Sequence, residues 1–159
     1  MKKYLIYLIL ISLSTNLNAD ELRIKSDGFE GDDSKGITIF TGNVAIKKGV
    51  DELNASKVTI YTNKAHQPIK YLAQGNVKFY IENDTNATYR GRAQKVVYLP
   101  EKQKYHFYTD VYLEELGDKK VIEGDEVILS VKDGKASAVG APTKPVLMIF
   151  KIADKNETK

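Results

Sequence analysis

A short phrase recurs along the chain. Phe40-Thr41-Gly42-Asn43-Val44 returns as Ala73-Gln74-Gly75-Asn76-Val77 and, altered, as Tyr108-Thr109-Asp110-Val111. Gly42, Gly75 and Thr109 lie 33 and 34 positions apart. A second phrase follows each copy: Ala55-Ser56-Lys57-Val58-Thr59-Ile60, Ala93-Gln94-Lys95-Val96-Val97-Tyr98 and Gly124-Asp125-Glu126-Val127-Ile128-Leu129. A repeat of this period marks stacked supersecondary units that cannot bury their apolar faces alone. Each unit reads as strands, so the repeat predicts an elongated stack of sheet layers.

Alternation carries the strand assignment. Val44 and Ile46 alternate with Ala45 and Lys47; Val58 and Ile60 with Lys57, Thr59 and Tyr61; Val77, Phe79 and Ile81 with Lys78, Tyr80 and Glu82. Val111 and Leu113, then Val127, Leu129 and Val131, follow the same rule. Period two with one apolar face predicts antiparallel sheet buried on one side. Gly and Asn sit inside these runs, and a bulge or bend is the expected use of such positions.

The runs are separated by turn signals at 30–36, 47–49, 83–86 and 116–119, with Pro100 opening another. Asp133-Gly134 predicts a tight hairpin with φ > 0 at both central residues. About a dozen short strands at this spacing indicate a sandwich, jelly roll or solenoid. Such a stack has two open edges. One is the first strand near Leu22, Arg23 and Ile24; the other is Val146, Leu147, Met148, Ile149 and Phe150. These segments are candidates for strand addition by a partner, or else they close the core.

Lys2 and Lys3, an apolar run over 4–13 and a small, polar stretch ending at Ala19 read as a cleavable secretory signal peptide over 1–19. It is too short for a permanent membrane span, and without cysteine there is no lipidated N-terminus. The expected product is a soluble exported chain. Net charge is +3, or +1 without Lys2 and Lys3, with both signs interspersed. That balance gives no footprint for nucleic acid. The lack of cysteine excludes disulfides, thiolate metal sites and cysteine nucleophiles.

Catalytic constellations are missing. His66 falls in a turn and His106 in a strand, neither with a second histidine at metal-ligand spacing. No nucleophile-elbow, Walker or dinucleotide fingerprint is present. The reading is therefore a non-enzyme without metal or cofactor. One surface pattern carries chemistry of another kind. Asn54, Asn83, Asn86 and Asn156 each begin an Asn-x-Ser/Thr acceptor. Asn54, Asn86 and Asn156 also carry an acid two residues earlier, a form that resembles the acceptor of bacterial periplasmic oligosaccharyltransferases. Asn86 in a turn and Asn156 in the tail are better placed than Asn54 in a strand.

The order of these short motifs resembles the OstA-like family. The residues that carry the likeness are Leu22-Arg23-Ile24-Lys25-Ser26-Asp27, Ile39-Phe40-Thr41-Gly42-Asn43-Val44, Asn54-Ala55-Ser56-Lys57-Val58, Gly75-Asn76-Val77, Gly91-Arg92-Ala93 and Glu123-Gly124-Asp125-Glu126-Val127. Thr109 and Asp110 depart from the Gly-Asn of the other copies, which leaves the path of the third bend open. The resemblance implies an all-β, single-domain twisted antiparallel β-jelly roll over 20–151, solenoid-like and open at both ends, followed by a charged tail over 152–159. It implies a periplasmic bridge that holds lipid A acyl chains of lipopolysaccharide in a groove. It also implies head-to-tail self-association and inner- and outer-membrane partners of similar fold.

The alternation offers Leu22, Ile24, Ile39, Val44, Ile46, Val58, Ile60, Phe79, Val96, Tyr98, Val111 and Leu113 as the groove, or as plain core. The resemblance places Leu22, Ile24, Phe79 and Tyr98 toward lipid. Arg23, Lys25 and Lys47 are candidates for phosphate contacts near one mouth, or solvated surface. Two other functions stay open: a soluble monomeric lipid carrier, and a structural adaptor for outer-membrane assembly with a filled interior.

Overall fold

The computed structural model describes residues 21–152. The expected signal peptide, most of the tail and Asn156 lie outside the described residues. Ten strands form one antiparallel sheet: β1 (Leu22–Lys25), β2 (Gly28–Asp32), β3 (Ile37–Lys48), β4 (Asp51–Thr62), β5 (Pro68–Glu82), β6 (Thr88–Leu99), β7 (Lys104–Glu115), β8 (Lys120–Ser130), β9 (Ala136–Val139) and β10 (Leu147–Ile149). A 3₁₀ turn at Pro100–Lys102 joins β6 to β7. The spatial order is β1-β3-β4-β5-β6-β7-β8-β10, with β2 also on β3 and β9 also on β8.

Each long strand is broken at the same height, and the repeated phrases are where it breaks. Register shifts occur between Thr41 and Val44, between Gln74 and Val77, and between Tyr108 and Val111. At each shift two residues face one: Gly42-Asn43 face Ser56, Gly75-Asn76 face Gln94, and Thr109-Asp110 face Asp125. These are β-bulges, which bend a strand and tighten its twist. All six inserted residues have positive φ, from +46 to +82. The third copy therefore bends like the first two, although a β-branched threonine pays for a backbone that glycine adopts freely.

The second phrase supplies the other side of the bend. On β4, Ala55 and Val58 are both buried, while Ser56 and Lys57 between them are exposed. On β6 Ala93 and Val96 are likewise buried around exposed Gln94 and half-buried Lys95, and on β8 Gly124 and Val127 around exposed Asp125 and half-buried Glu126. Two successive outward residues shift the phase of alternation by one at the corner. A strict period of two would have turned a charged residue into the core.

The column of bulges divides the sheet into two half-sheets. One holds β1, β10 and the segments 44–48, 51–55, 77–82, 88–93, 111–115 and 120–124. The other holds β2, β9 and the remaining halves of β3 to β8. The halves face one another, because Phe79 of the first packs on Phe107 of the second with ring centroids 4.5 Å apart. Their rims are tied where the Asp84 amide donates to the Val131 carbonyl at 3.2 Å. Val44, Val58, Val77, Val96, Phe107, Val111, Leu113, Val127 and Leu129 fill the space between them and are almost fully buried. Each such side chain stabilises the fold by roughly 1.5–3 kcal/mol.

Three expected details differ. The described residues hold ten strands, because several runs read as separate strands are continuous through their bulges. Glu30–Asp32 belongs to β2 and Lys47 and Lys48 to β3, so the first two turns are confined to 33–36 and 49–50. The β8–β9 connection is the five-residue loop 131–135, not a two-residue hairpin: only Gly134 has positive φ (+65), its amide donates to the Ser130 carbonyl at 2.9 Å, and the Ser130 amide donates to the Lys135 carbonyl at 2.8 Å.

Candidate functional site

Register assigns every side chain to a face. Phe29, Phe40, Val58, Ala73, Val96, Phe107, Val127 and Ala138 stand opposite one another in sequence across one half-sheet. Ile24, Ile46, Leu53, Phe79, Gly91, Leu113, Ile122 and Met148 do the same across the other. Directly opposed residues share a face. These two rows line the inside.

Between them runs a groove whose two ends are open and whose centre is filled. At the β1 end a cavity of about 250 Å³ is lined by Leu22, Ile46, Leu53, Pro68, Tyr71, Ile81, Tyr98, Pro100 and Tyr105, with Lys48, Asp51 and Glu52 at its rim. At the β10 end a cavity of about 400 Å³ is lined by Tyr89, Leu113, Ile122, Ala136, Ala138, Val146, Met148 and Phe150, with Glu115 and Lys120 among them. Phe79 and Phe107 close the middle.

Of the residues expected to form the groove, Val44, Val58, Ile60, Phe79, Val96 and Val111 are packed core, and Leu113, equally buried, also walls the β10-end cavity. Leu22, Ile46 and Tyr98 line the open β1 end, and Ile24 packs against the core beside them. Ile39 is a correction. It stands opposite Glu30 and Thr59, in the outward row that continues through Leu72, Val97 and His106. On β3 the inward residues are Phe40, Val44 and Ile46, a choice fixed by the register on either side of the bulge.

Arg23, Lys25 and Lys47 also point away from the groove. Arg23 stands opposite Lys47, and Lys25 opposite Ala45, on the outer face. Arg23 pairs with Glu21 at 2.8 Å and Lys47 with Glu52 at 2.6 Å. The cations at the groove itself are Lys48, one residue further along β3, at the β1 end and Lys120 at the β10 end.

Sequence reasoning named Tyr98 but missed Tyr71 and Tyr105. Tyr71, Tyr98 and Tyr105 are successive inward neighbours, with ring centroids 6.0 and 4.3 Å apart, and Tyr105 lies 5.8 Å from Phe107. Burial pushes the Tyr105 phenol well above its ordinary value, and the adjoining Tyr98 adds to the shift. Tyr71 and Tyr98 are raised by burial as well. The wall therefore stays neutral at physiological pH and offers amphipathic rings. Their shared face follows from pairing between distant strands, which no single run displays.

The end strands each pair on one side. β1 is hydrogen-bonded to β3 and β10 to β8. Leu22, Val146, Leu147, Met148, Ile149 and Phe150 are all more than a third exposed, Phe150 at 55%. His106 stacks on Tyr108 on the outer face, at 6.3 Å. His66 occupies a turn in which the Asn63 side chain accepts from the amides of Ala65 and Gln67. Among the described residues no three His, Asp or Glu side chains gather into a metal site.

This architecture has named counterparts. The model of the family described as LptA/(LptD N-terminal domain) LPS transport protein matches residues 23–135. The chain belongs to that family. The match ends short of β9 and β10. The lipopolysaccharide export system protein LptA of Escherichia coli (strain K12) is 28% identical over 141 residues, spanning 85% of this chain and 75% of the relative. The protein of the same name from Shigella flexneri gives the same figures. The crystal structure of LptH from Pseudomonas aeruginosa, titled the LptA-homologous periplasmic component of the lipopolysaccharide transport device, superposes with a TM-score of 0.73. It covers 84% of this chain and 96% of that one at 15% identity. That likeness is one of fold.

Proposed function

We propose that this protein is a periplasmic bridge for lipopolysaccharide export, sheltering acyl chains between its half-sheets and joining neighbours of similar fold end to end. One observation carries the reading: the apolar groove runs out at both ends onto strands with a free edge and exposed apolar side chains. Exposing an acyl chain to water costs about 0.8 kcal/mol per methylene. A lipid with several chains therefore crosses an aqueous compartment only under cover, and providing that cover needs no catalysis. Free antiparallel edges supply main-chain hydrogen bonds for a neighbouring strand.

In the isolated subunit Phe79 and Phe107 interrupt the path. Passage of chains then requires the half-sheets to spread at these rings. The filled centre also favours a second reading, a structural adaptor that carries no lipid. Photo-crosslinkers at Leu22, Tyr98 and Met148, introduced during active export in cells, separate the two. Capture of lipopolysaccharide from both ends supports the bridge, and capture from neither supports the adaptor. A soluble carrier is the answer if lipid is captured while deletion of 146–150 leaves transport intact and the protein monomeric.

A further inference from the structure

Three acceptor sequences lie within the described residues, and the fold treats them differently. Asn54 is exposed, but it sits inside β4 with Ala45 and Lys78 as neighbours on either side. Presenting it in a bent conformation means opening two strand interfaces in the middle of the sheet. Asn83 is 4% exposed. Its Oδ1 accepts from the amides of Thr85 and Ala87 at 3.0 and 2.8 Å and from the Thr85 hydroxyl at 2.8 Å. Its Nδ2, the atom that would be modified, is buried without a partner beneath the β8–β9 loop. A methyl group on Gly134 would stand 3.1 Å from it.

Asn86 has the opposite setting. It is exposed at the tip of the β5–β6 turn, with φ +60 and its amide bonded to the Asn83 carbonyl at 3.0 Å. Asp84, two residues before, is exposed too. Thr88, two residues after, is the first residue of β6, paired with Glu82 at the end of the ladder. Freeing it means fraying the terminal β5–β6 pair and the bond its carbonyl accepts from the Leu116 amide at 2.9 Å, both at the end of the sheet, where local opening costs less than inside β4. The Asn83 side chain organises the turn, and the turn presents Asn86.

We propose that Asn86 is an N-glycosylation site and that Asn83 and Asn54 are not. In the transfer, Nδ2 of Asn86 attacks the anomeric carbon of a polyprenyl-pyrophosphate-linked oligosaccharide. The N–C bond forms, the anomeric C–O bond breaks, the amide gives up one proton, and polyprenyl pyrophosphate leaves. The attached sugar would sit on the turn between two central strands, β5 and β6, beside the β8–β9 loop to which the Asp84 amide is bonded at the Val131 carbonyl.

The test expresses the full chain in the periplasm of a host that carries a bacterial oligosaccharyltransferase and its lipid-linked oligosaccharide, together with a control acceptor protein. Glycopeptide mapping of the unaltered chain should find one oligosaccharide on Asn86. Asn86→Gln and Thr88→Ala should abolish that adduct, Asp84→Ala should reduce it at least several-fold, and Asn54→Gln should leave it in place. Thermal unfolding of each variant separates loss of acceptor from loss of fold. An unmodified Asn86 beside a modified control overturns the proposal, as does sugar on Asn54 or Asn83.

Discussion

Phe79 and Phe107 lie 4.5 Å apart, ring centroid to ring centroid, although β5 and β7 are separated by β6 in the sheet. Phe79 follows the bulge of its strand and Phe107 precedes the bulge of its own. They meet because the sheet folds over at the bulge column. The pair is at once the centre of the core and the point that divides the groove.

Truncation of either ring to alanine should cost about 3–5 kcal/mol by urea unfolding. Leucine at each site keeps the domain folded for a double-mutant cycle. That cycle should return a coupling of about 0.5–1.5 kcal/mol beyond the area lost. Additive single effects would mean that the half-sheets do not touch here.

Gly91 sits beneath the Phe79 ring, and a methyl group there would collide with the Tyr112 carbonyl and stand 2.8 Å from Phe79 Cζ. Gly91→Ala should destabilise by roughly 1–3 kcal/mol through overpacking. Gly117, in the β7–β8 turn, has nothing within 4 Å of an added methyl group. Gly117→Ala should stay within about 0.5 kcal/mol of the parent. Equal melting temperatures for the two variants would contradict this packing.

Thr109 holds φ +64 at the position where the other copies have glycine. Left-handed backbone strains a residue with a side chain by roughly 1–2 kcal/mol, and glycine returns part of that relief as unfolded-state entropy. Thr109→Gly should therefore stabilise by about 0.5–1 kcal/mol, read as a higher melting temperature. The converse change, Gly75→Thr, adds a clash with Ser56 to the strain and should cost more than Thr109→Gly gains.

Tyr71, Tyr98 and Tyr105 have phenols raised above their ordinary value by burial. The folded state then keeps protons that the unfolded state releases near pH 10. The stability they contribute is present in full below that pH and is lost as pH rises beyond it. Phenolate absorbance should show these rings ionising together with the loss of near-ultraviolet dichroism. Tyr105→Phe should shrink that step. Smooth ionisation of the groove tyrosines in a still-folded protein would refute the burial argument.

Much of this fold is legible in the residues alone. The repeated Gly-Asn-Val phrase and the period of two specify strands bent at one height, because few other arrangements satisfy both glycine inside a strand and an apolar residue at every second position. The turns at 83–86 and 116–119 were equally plain. The face of Ile39 and the inward tyrosines on either side of Tyr98 were not. Choosing between Ile39 and Phe40 depends on which face of β3 meets β4 across a bulge, and two neighbouring apolar residues leave that undecided.

The sequence determined that the chain is sheet, that it repeats, and that it bends at Gly42 and Gly75, since these follow from backbone preference and local pattern; the matching bend at Thr109 is seen only in the structure. Only the tertiary structure decided that the bent sheet closes on Phe79 and Phe107 and opens at Leu22 and Phe150. It also decided that Asn83 is covered while Asn86 stands free. Those outcomes depend on which residues meet across the fold, and contact between distant segments leaves no mark on either one read alone.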